Sequence, residues 1–93
     1  MSFQGMGTSE YDEVCEGLNF PADWPDGLLA HASAAIDGGL RVRDVWESMD
    51  HWDKFREGTL VPTIGRTLGD RAVAPETTTR ELHTFYAHER VPA

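Results

Sequence analysis

The feature that most constrains this 93-residue chain is a pair of alternating segments around one tight turn. In residues 27–48, GLLAHASAAIDGGLRVRDVWES, apolar and polar residues alternate on both sides of an Asp-Gly-Gly. Alternation with a period of two is typical of a strand with one buried face. Asp37 and Gly38 suit a two-residue type I′ turn, in which both residues have a positive φ. The stretch therefore predicts a β-hairpin with strands at 27–35 and 40–47.

The length of this turn determines which residues face each other. With two residues in the turn, His31 lies opposite Asp44 and Leu29 lies opposite Trp46, all on one face of the hairpin. A carboxylate beside an imidazole can fix its tautomer and make it a better proton acceptor, as a general base requires near neutral pH. His31 and Asp44 are therefore candidate catalytic residues. The same pair also fits a structural hydrogen bond in a core.

Two helical patterns flank the hairpin. Thr8 or Ser9 can cap the first helix. The apolar stripe of this helix, which we expect to face a sheet, consists of Tyr11, Val14, Cys15 and Leu18. Ser48 caps the second helix. Its expected buried side consists of Met49, Trp52 and Phe55. Because Gly58 and Pro62 interrupt this pattern, we expect a break or a further short helix, which would carry Leu60, Ile64 and Leu68.

Strands are also predicted at both ends of the chain. Only residues 1–4 precede the first turn, so we expect a short first strand. Residues 82–90 are rich in aromatic side chains and alternate in two sets, which predicts a last strand. The order βαββαβ predicts a single α+β domain, residues 1–93, with a ferredoxin-like antiparallel sheet and helices on one face. We expect a second copy to cover the other face, giving a homodimer.

Composition and charge argue against several classes of protein. Sixteen acidic against eight basic residues give a formal charge of −8, which disfavours nucleic acid and anionic membranes as partners. No apolar run reaches the roughly 20 residues of a membrane-spanning helix. Cys15 is the single cysteine, and the first residues do not resemble a signal peptide, so we expect a cytoplasmic protein. The four histidines lack the spacing of a local chelate, so no metal site is expected.

Four segments resemble a known superfamily. FQGMGTSEYDEV, DWPDGLLAHA, RVRDVWESMDHWDKF and YAHERVP are similar to segments of the small bacterial proteins of the dimeric α/β-barrel superfamily, near the antibiotic biosynthesis monooxygenase-like group. The resemblance implies two ferredoxin-like subunits packed sheet to sheet, with a small-molecule pocket between each sheet and its helices. Members include cofactor-independent monooxygenases, isomerases, cyclases and haem-degrading enzymes. His51 lies too early in its helix to match the haem-ligating histidine, so no cofactor is expected.

Three functions stay open at this point. The favoured one is a cofactor-independent, monooxygenase-like enzyme that removes a proton from an aromatic or polyketide-like substrate. His31 would be its base, oriented by Asp44, and His88 is a third candidate catalytic residue. The candidate substrate-binding residues are Trp46, Tyr86, Trp24 and Phe55. The same base would serve an isomerase or a cyclase. The alternatives are a non-catalytic small-molecule-binding protein and a structural dimer whose own side chains fill the pocket.

Overall fold

A computed structural model describes residues 1–86 of the chain. Its elements are β1 (Ser2–Gln4), α1 (Thr8–Leu18), β2 (Leu28–Ile36), β3 (Gly39–Trp46), α2 (Met49–Phe55) and α3 (Val61–Leu68). The three strands form one antiparallel sheet in the order β1-β3-β2. An α+β fold is thus confirmed, and this strand order is compatible with a ferredoxin-like sheet.

The central hairpin forms with the predicted turn length. Ile36 pairs with Gly39, and further along the ladder His31 pairs with Asp44. The predicted turn type is wrong, however, because only Gly38 of the two turn residues has a positive φ, at 77°. A type I′ turn would need a positive φ at Asp37 as well.

A β-bulge changes the pairing at the open end of the hairpin. The register shifts between Leu28 and Ala30, so Trp46 pairs with Leu28 and not with Leu29 as expected. A one-residue shift moves side chains to the opposite face of a sheet. Leu28 is accordingly buried, at 6% exposure, whereas Leu29 is 52% exposed.

The edge of the sheet beside β1 differs from the prediction. Ser2 forms an isolated antiparallel bridge with Glu76, joined by backbone hydrogen bonds of 2.8 and 2.9 Å. The last strand expected at 82–90 is absent from its described part, because residues 82–86 belong to no strand; the remainder lies outside the described residues. Alternation alone could not establish a strand there. Within residues 82–86, the apolar side chains of Leu82, Phe85 and Tyr86 are all exposed, so this part of the segment has no buried face.

Of the two predicted helix N-caps, one is wrong and one is confirmed. Gly7 precedes α1 as its N-cap and no side chain caps the helix, so the predicted Thr8 or Ser9 cap is wrong. The Ser9 hydroxyl instead donates to the Glu10 carboxylate at 2.7 Å. The Ser48 cap of α2 is confirmed, because its hydroxyl oxygen accepts the backbone N–H of His51 at 3.2 Å.

The predicted interruption after α2 takes the form of one π-helical turn, Arg56–Leu60, that leads into α3. Pro62 lies in the first turn of α3, and because it has no N–H it cannot continue the hydrogen-bond ladder of the π-helical turn. On α2 itself Trp52 is buried as expected, but Met49 is 54% exposed, which corrects its assignment to the buried side.

The hydrophobic core lies between the sheet and the helices. It consists of Phe3, Met6, Val14, Leu40, Val42, Trp52, Leu60, Ile64 and Leu68. Helices α1 and α3 approach each other closely at Gly17, where a Cβ atom would lie 2.8 Å from the Thr67 hydroxyl oxygen. Among residues 1–86, no helix has both the length and the apolarity to cross a membrane.

Candidate functional site

The predicted pair of His31 and Asp44 forms a direct hydrogen bond. The two residues lie opposite each other on β2 and β3, and His31 Nδ1 is 2.6 Å from Asp44 Oδ1. Both side chains are largely buried, with 17% and 12% exposure. An ionised carboxylate can only accept, so the proton of this bond belongs to Nδ1. In the neutral imidazole, Nε2 is then the nitrogen with a free lone pair.

A third residue, Tyr11, completes the network. Its hydroxyl lies 2.6 Å from His31 Nε2, and because that nitrogen is the acceptor, the hydroxyl donates. We call these three side chains the Asp44–His31–Tyr11 network. The sequence placed Tyr11 on the apolar stripe of α1 but gave it no functional role. What distinguishes Tyr11 in the sequence is its phenolic hydroxyl, since the other residues of the stripe are Val14, Cys15 and Leu18.

The surroundings of Tyr11 keep its hydroxyl protonated. Burial raises the pKa of Tyr11 to about 12; a hydrogen bond from Ser33 opposes this rise, and Cys15 adds to it. Burial also raises the pKa of the Cys15 thiol. Near neutral pH both groups therefore hold their protons, and Tyr11 remains a hydrogen-bond donor to His31.

The Asp44–His31–Tyr11 network lines a cavity of about 60 Å³ between the sheet and the helices. Its walls are otherwise mostly apolar and include Phe20, Trp46 and Phe55. Phe20 meets the His31 ring edge to face, with 4.9 Å between the ring centroids. The volume suits about two waters, at roughly 30 Å³ each, and is smaller than the ~150 Å³ cavity that can take up a benzene ring.

Trp46 presents an unpaired polar group in this region. It lies two residues from Asp44 along β3 and packs between Trp52 and Phe55, with ring centroids 5.7 and 5.3 Å away. Its indole Nε1 is buried and has no hydrogen-bond partner among residues 1–86. Leaving such a donor unpaired costs about 1–3 kcal/mol. An acceptor atom brought next to this N–H would relieve that cost.

A larger cleft of about 410 Å³ lies outside the cavity, between residues 19–27 and α2. Four residues line both spaces, namely Leu18, Phe20, Pro25 and Phe55. Trp24 also lines the cleft; it is 50% exposed, stacks on Phe20, and donates its indole N–H to the Leu28 carbonyl at 2.6 Å. The polar residues around the cleft are Asp23, Asp26, His51, Lys54 and Thr59.

The other predicted site residues are not brought to this region. Tyr86 is 89% exposed and lines neither the cavity nor the cleft. His88 lies outside the described residues. Within residues 1–86, no three His, Cys, Asp or Glu side chains converge as a metal site would require.

Comparison with protein-family models, with curated proteins and with solved structures finds no match to this chain. Its possible chemistry therefore has to be inferred from the side chains themselves. Three features bear on that chemistry: the Asp44–His31–Tyr11 network, the unpaired indole of Trp46, and the cleft outside the cavity.

Proposed function

We propose that this protein is a cofactor-independent enzyme that removes a proton from an aromatic or polyketide-like small molecule, with His31 as base and Asp44 as its orienting partner. The 2.6 Å bond between His31 Nδ1 and Asp44 Oδ1, at the wall of a mostly apolar cavity, carries this proposal. Asp44 fixes the tautomer and stabilises the imidazolium that forms when Nε2 takes up a proton. Few polar groups compete for that proton in such a cavity.

A monooxygenase-like reaction needs little else from the protein. Loss of a proton from an enolisable CH₂ group gives an enolate, which can react directly with dioxygen to form a hydroperoxide. Loss of water from this intermediate leaves a C=O group, so one oxygen atom enters the product and the other enters water. Isomerisation or cyclisation would begin with the same proton removal. The protein's contribution to all three is the base, the orientation of the substrate and the exclusion of water.

The unpaired indole of Trp46 and the outer cleft fit this chemistry. The Trp46 N–H can donate to the oxygen on which charge develops as the enolate forms, a role of the oxyanion-hole type. The cavity is too small for an aromatic ring, so we place the bulk of the substrate in the cleft beside Trp24. The reacting carbon then approaches the Asp44–His31–Tyr11 network between Phe20 and Phe55, which must move apart.

A proton-exchange experiment tests the proposal without requiring the natural substrate. Anthrone, an enolisable aromatic ketone, is incubated with the protein in D₂O under argon, and loss of its CH₂ signal is followed by NMR. We expect exchange faster than in buffer, and we expect His31→Ala to reduce the protein-catalysed rate about 10²- to 10⁴-fold, the usual contribution of a general base. Excluding dioxygen separates proton removal from oxygenation.

His83→Ala is the matched control, because His83 is exposed and lines neither the cavity nor the cleft. This variant should exchange anthrone at the rate of the unsubstituted protein. Exchange by His31→Ala at that same rate would contradict the proposal. If dioxygen is then admitted, its consumption together with formation of the ketone would identify the oxygenation branch.

A non-catalytic small-molecule-binding protein is the second candidate. It is favoured by one specific observation, the hydrogen bond from Tyr11 that already occupies His31 Nε2. In that case anthrone would shift the NMR signals of residues around the cavity without any loss of its own CH₂ signal. His31→Ala would then change the affinity for anthrone and no rate.

We further propose that the fold is ferredoxin-like and that the protein is a homodimer joined through its sheets. The strand order supports this, as does the open face of the hairpin, whose exposed residues include Ala32, Ala34, Ile36, Arg41 and Arg43. Small side chains such as Ala32 and Ala34 would allow a second sheet to approach closely. Light scattering should give about 21 kDa, twice the 10.4 kDa of the chain, and a monomeric mass at all concentrations would contradict the dimer.

A further inference from the structure

We infer that Tyr11 is the residue that takes the proton from the substrate, and that His31 acts through the Tyr11 hydroxyl. This inference rests on the proposed function, because it concerns the path by which a proton reaches His31. It assigns a catalytic role to a side chain of α1, whereas the proposed base and its orienting carboxylate both lie on the hairpin.

Both nitrogens of His31 are already occupied. Nδ1 is held by Asp44 and Nε2 by Tyr11, each at 2.6 Å. The rings of His31 and Tyr11 lie nearly parallel, with 9° between their planes, and Phe20 packs edge to face against His31. A substrate atom could reach Nε2 directly only by displacing Tyr11 from a short hydrogen bond.

The Tyr11 oxygen can still contact a substrate. A phenol oxygen has two lone pairs, so with the hydrogen bond from Ser33 on one of them the other can still accept a proton. Tyr11 also lines the cavity, as do His31 and Asp44. Of the two side chains that meet at His31 Nε2, Tyr11 is therefore the one that can accept a proton without first breaking the hydrogen bond between them.

In the proton transfer through Tyr11, two bonds break and two bonds form. The C–H bond of the substrate breaks and its proton bonds to the Tyr11 oxygen, while the Tyr11 O–H bond breaks and that proton bonds to His31 Nε2. The electron pair of the C–H bond stays on the substrate as an enolate. His31 becomes an imidazolium beside the Asp44 carboxylate, and Tyr11 ends as a neutral phenol.

The environment of Tyr11 favours moving both protons together. Burial raises the pKa of Tyr11 to about 12, so a free tyrosinate that waits for the substrate would be scarce near neutral pH. In a paired transfer the hydroxyl loses one proton as it gains another, and Tyr11 never carries a full negative charge. The positive charge appears instead on His31, where Asp44 can stabilise it.

A solvent isotope effect distinguishes this path from direct attack by His31. Anthrone labelled with tritium in its CH₂ group is given to the protein in H₂O and in D₂O, and release of tritium is followed. The Tyr11 hydroxyl proton exchanges with solvent, so transfer through Tyr11 requires slower release in D₂O. Direct abstraction by His31 moves no exchangeable proton in that step, and release at equal rates in the two solvents would overturn the inference.

Tyr11→Phe supplies the second test. We expect it to reduce tritium release about 100-fold, the lower end of the range for a proton-transferring side chain. His83→Ala, which changes an exposed residue outside the cavity and the cleft, should release tritium at the unsubstituted rate. Nitrogen-15 NMR of His31 should show that the Nδ1–H tautomer persists in Tyr11→Phe, so that the loss cannot be attributed to a reoriented base.

The two proposals fail in different ways. If His31→Ala releases tritium normally, the proposed function is wrong. If His31→Ala is inactive but Tyr11→Phe is as fast as the unsubstituted protein, or faster, then His31 acts directly and only the role of Tyr11 is overturned. The solvent isotope effect is measured on the unsubstituted protein and therefore decides the question even if Tyr11→Phe does not fold.

Discussion

Replacing Gly39 by alanine is expected to cost about 3 kcal/mol or more of the free energy of unfolding, because the added methyl group would overlap the neighbouring backbone. Gly39 pairs with Gln4 of β1, and a Cβ atom there would collide with the carbonyl oxygen of Phe3 and lie 3.3 Å from the Gln4 Cα atom. These are main-chain atoms, so no side-chain rotation can relieve the overlap. Strand β1 would have to move away from β3.

Gly65→Ala is the matched control for this substitution. Gly65 lies within α3, has no positive φ, and would place its Cβ atom in open space. Alanine should therefore stabilise the helix by about 0.5–1 kcal/mol. Thermal unfolding followed by circular dichroism compares the two variants, and a loss of ~3 kcal/mol corresponds to more than about 10 °C in a domain of this size. An unchanged midpoint for Gly39→Ala would contradict the close packing of β1 on β3.

Gly39→Ala should also affect the cavity at the candidate functional site. Phe3 and Met1 line the cavity together with the Asp44–His31–Tyr11 network, and β1 holds Phe3 against the core. Displacement of β1 should therefore open the cavity to water as well as destabilise the fold. Gly39→Ala protein that remains folded at low temperature is expected to exchange anthrone more slowly, because water would compete for the base.

The hairpin could be predicted from sequence because its determinants are local. A two-residue turn and an alternating pattern were enough to place His31 opposite Asp44. The bulge at Leu28 was not predictable in this way, since both leucines of the pair fit the pattern equally well. What selects Leu28 for burial is its contact with the rest of the fold, and this contact does not appear in the periodicity of the strand.

The contact of Tyr11 with His31 could not be predicted from the sequence. The hydroxyl reaches His31 only because α1 packs across the hairpin, and the two residues are 20 positions apart. The stripe on α1 predicts that Tyr11 faces the sheet, but it does not specify which strand residue it meets. The unpaired indole of Trp46 is similarly a property of the packed interior, because a missing partner cannot be identified from one residue type.

Replacing Trp46 by phenylalanine is expected to lower the rate of anthrone exchange about 10²- to 10³-fold, the effect of removing one donor from an oxyanion-hole arrangement. The free energy of unfolding should stay within about 1 kcal/mol of its original value. Phenylalanine loses packing area against Trp52 and Phe55, which lowers stability. It also removes a buried N–H that has no partner among residues 1–86, and removing this donor relieves a cost of about 1–3 kcal/mol. Trp46→Ala, in contrast, should lose about 3–5 kcal/mol because it leaves a cavity.

Trp24→Phe is the matched comparison for stability, since it also removes one indole N–H but from a donor that is already satisfied. Its bond to the Leu28 carbonyl should be worth about 1 kcal/mol, so this variant should lose stability, whereas Trp46→Phe should not. Because Trp24 lines the cleft in which we place the substrate, the control for the rate of exchange is His83→Ala. Exchange at the original rate in Trp46→Phe would mean that the indole N–H does not act on the enolate. A loss of stability as large as that of Trp46→Ala would mean that the N–H is not unpaired in the folded protein.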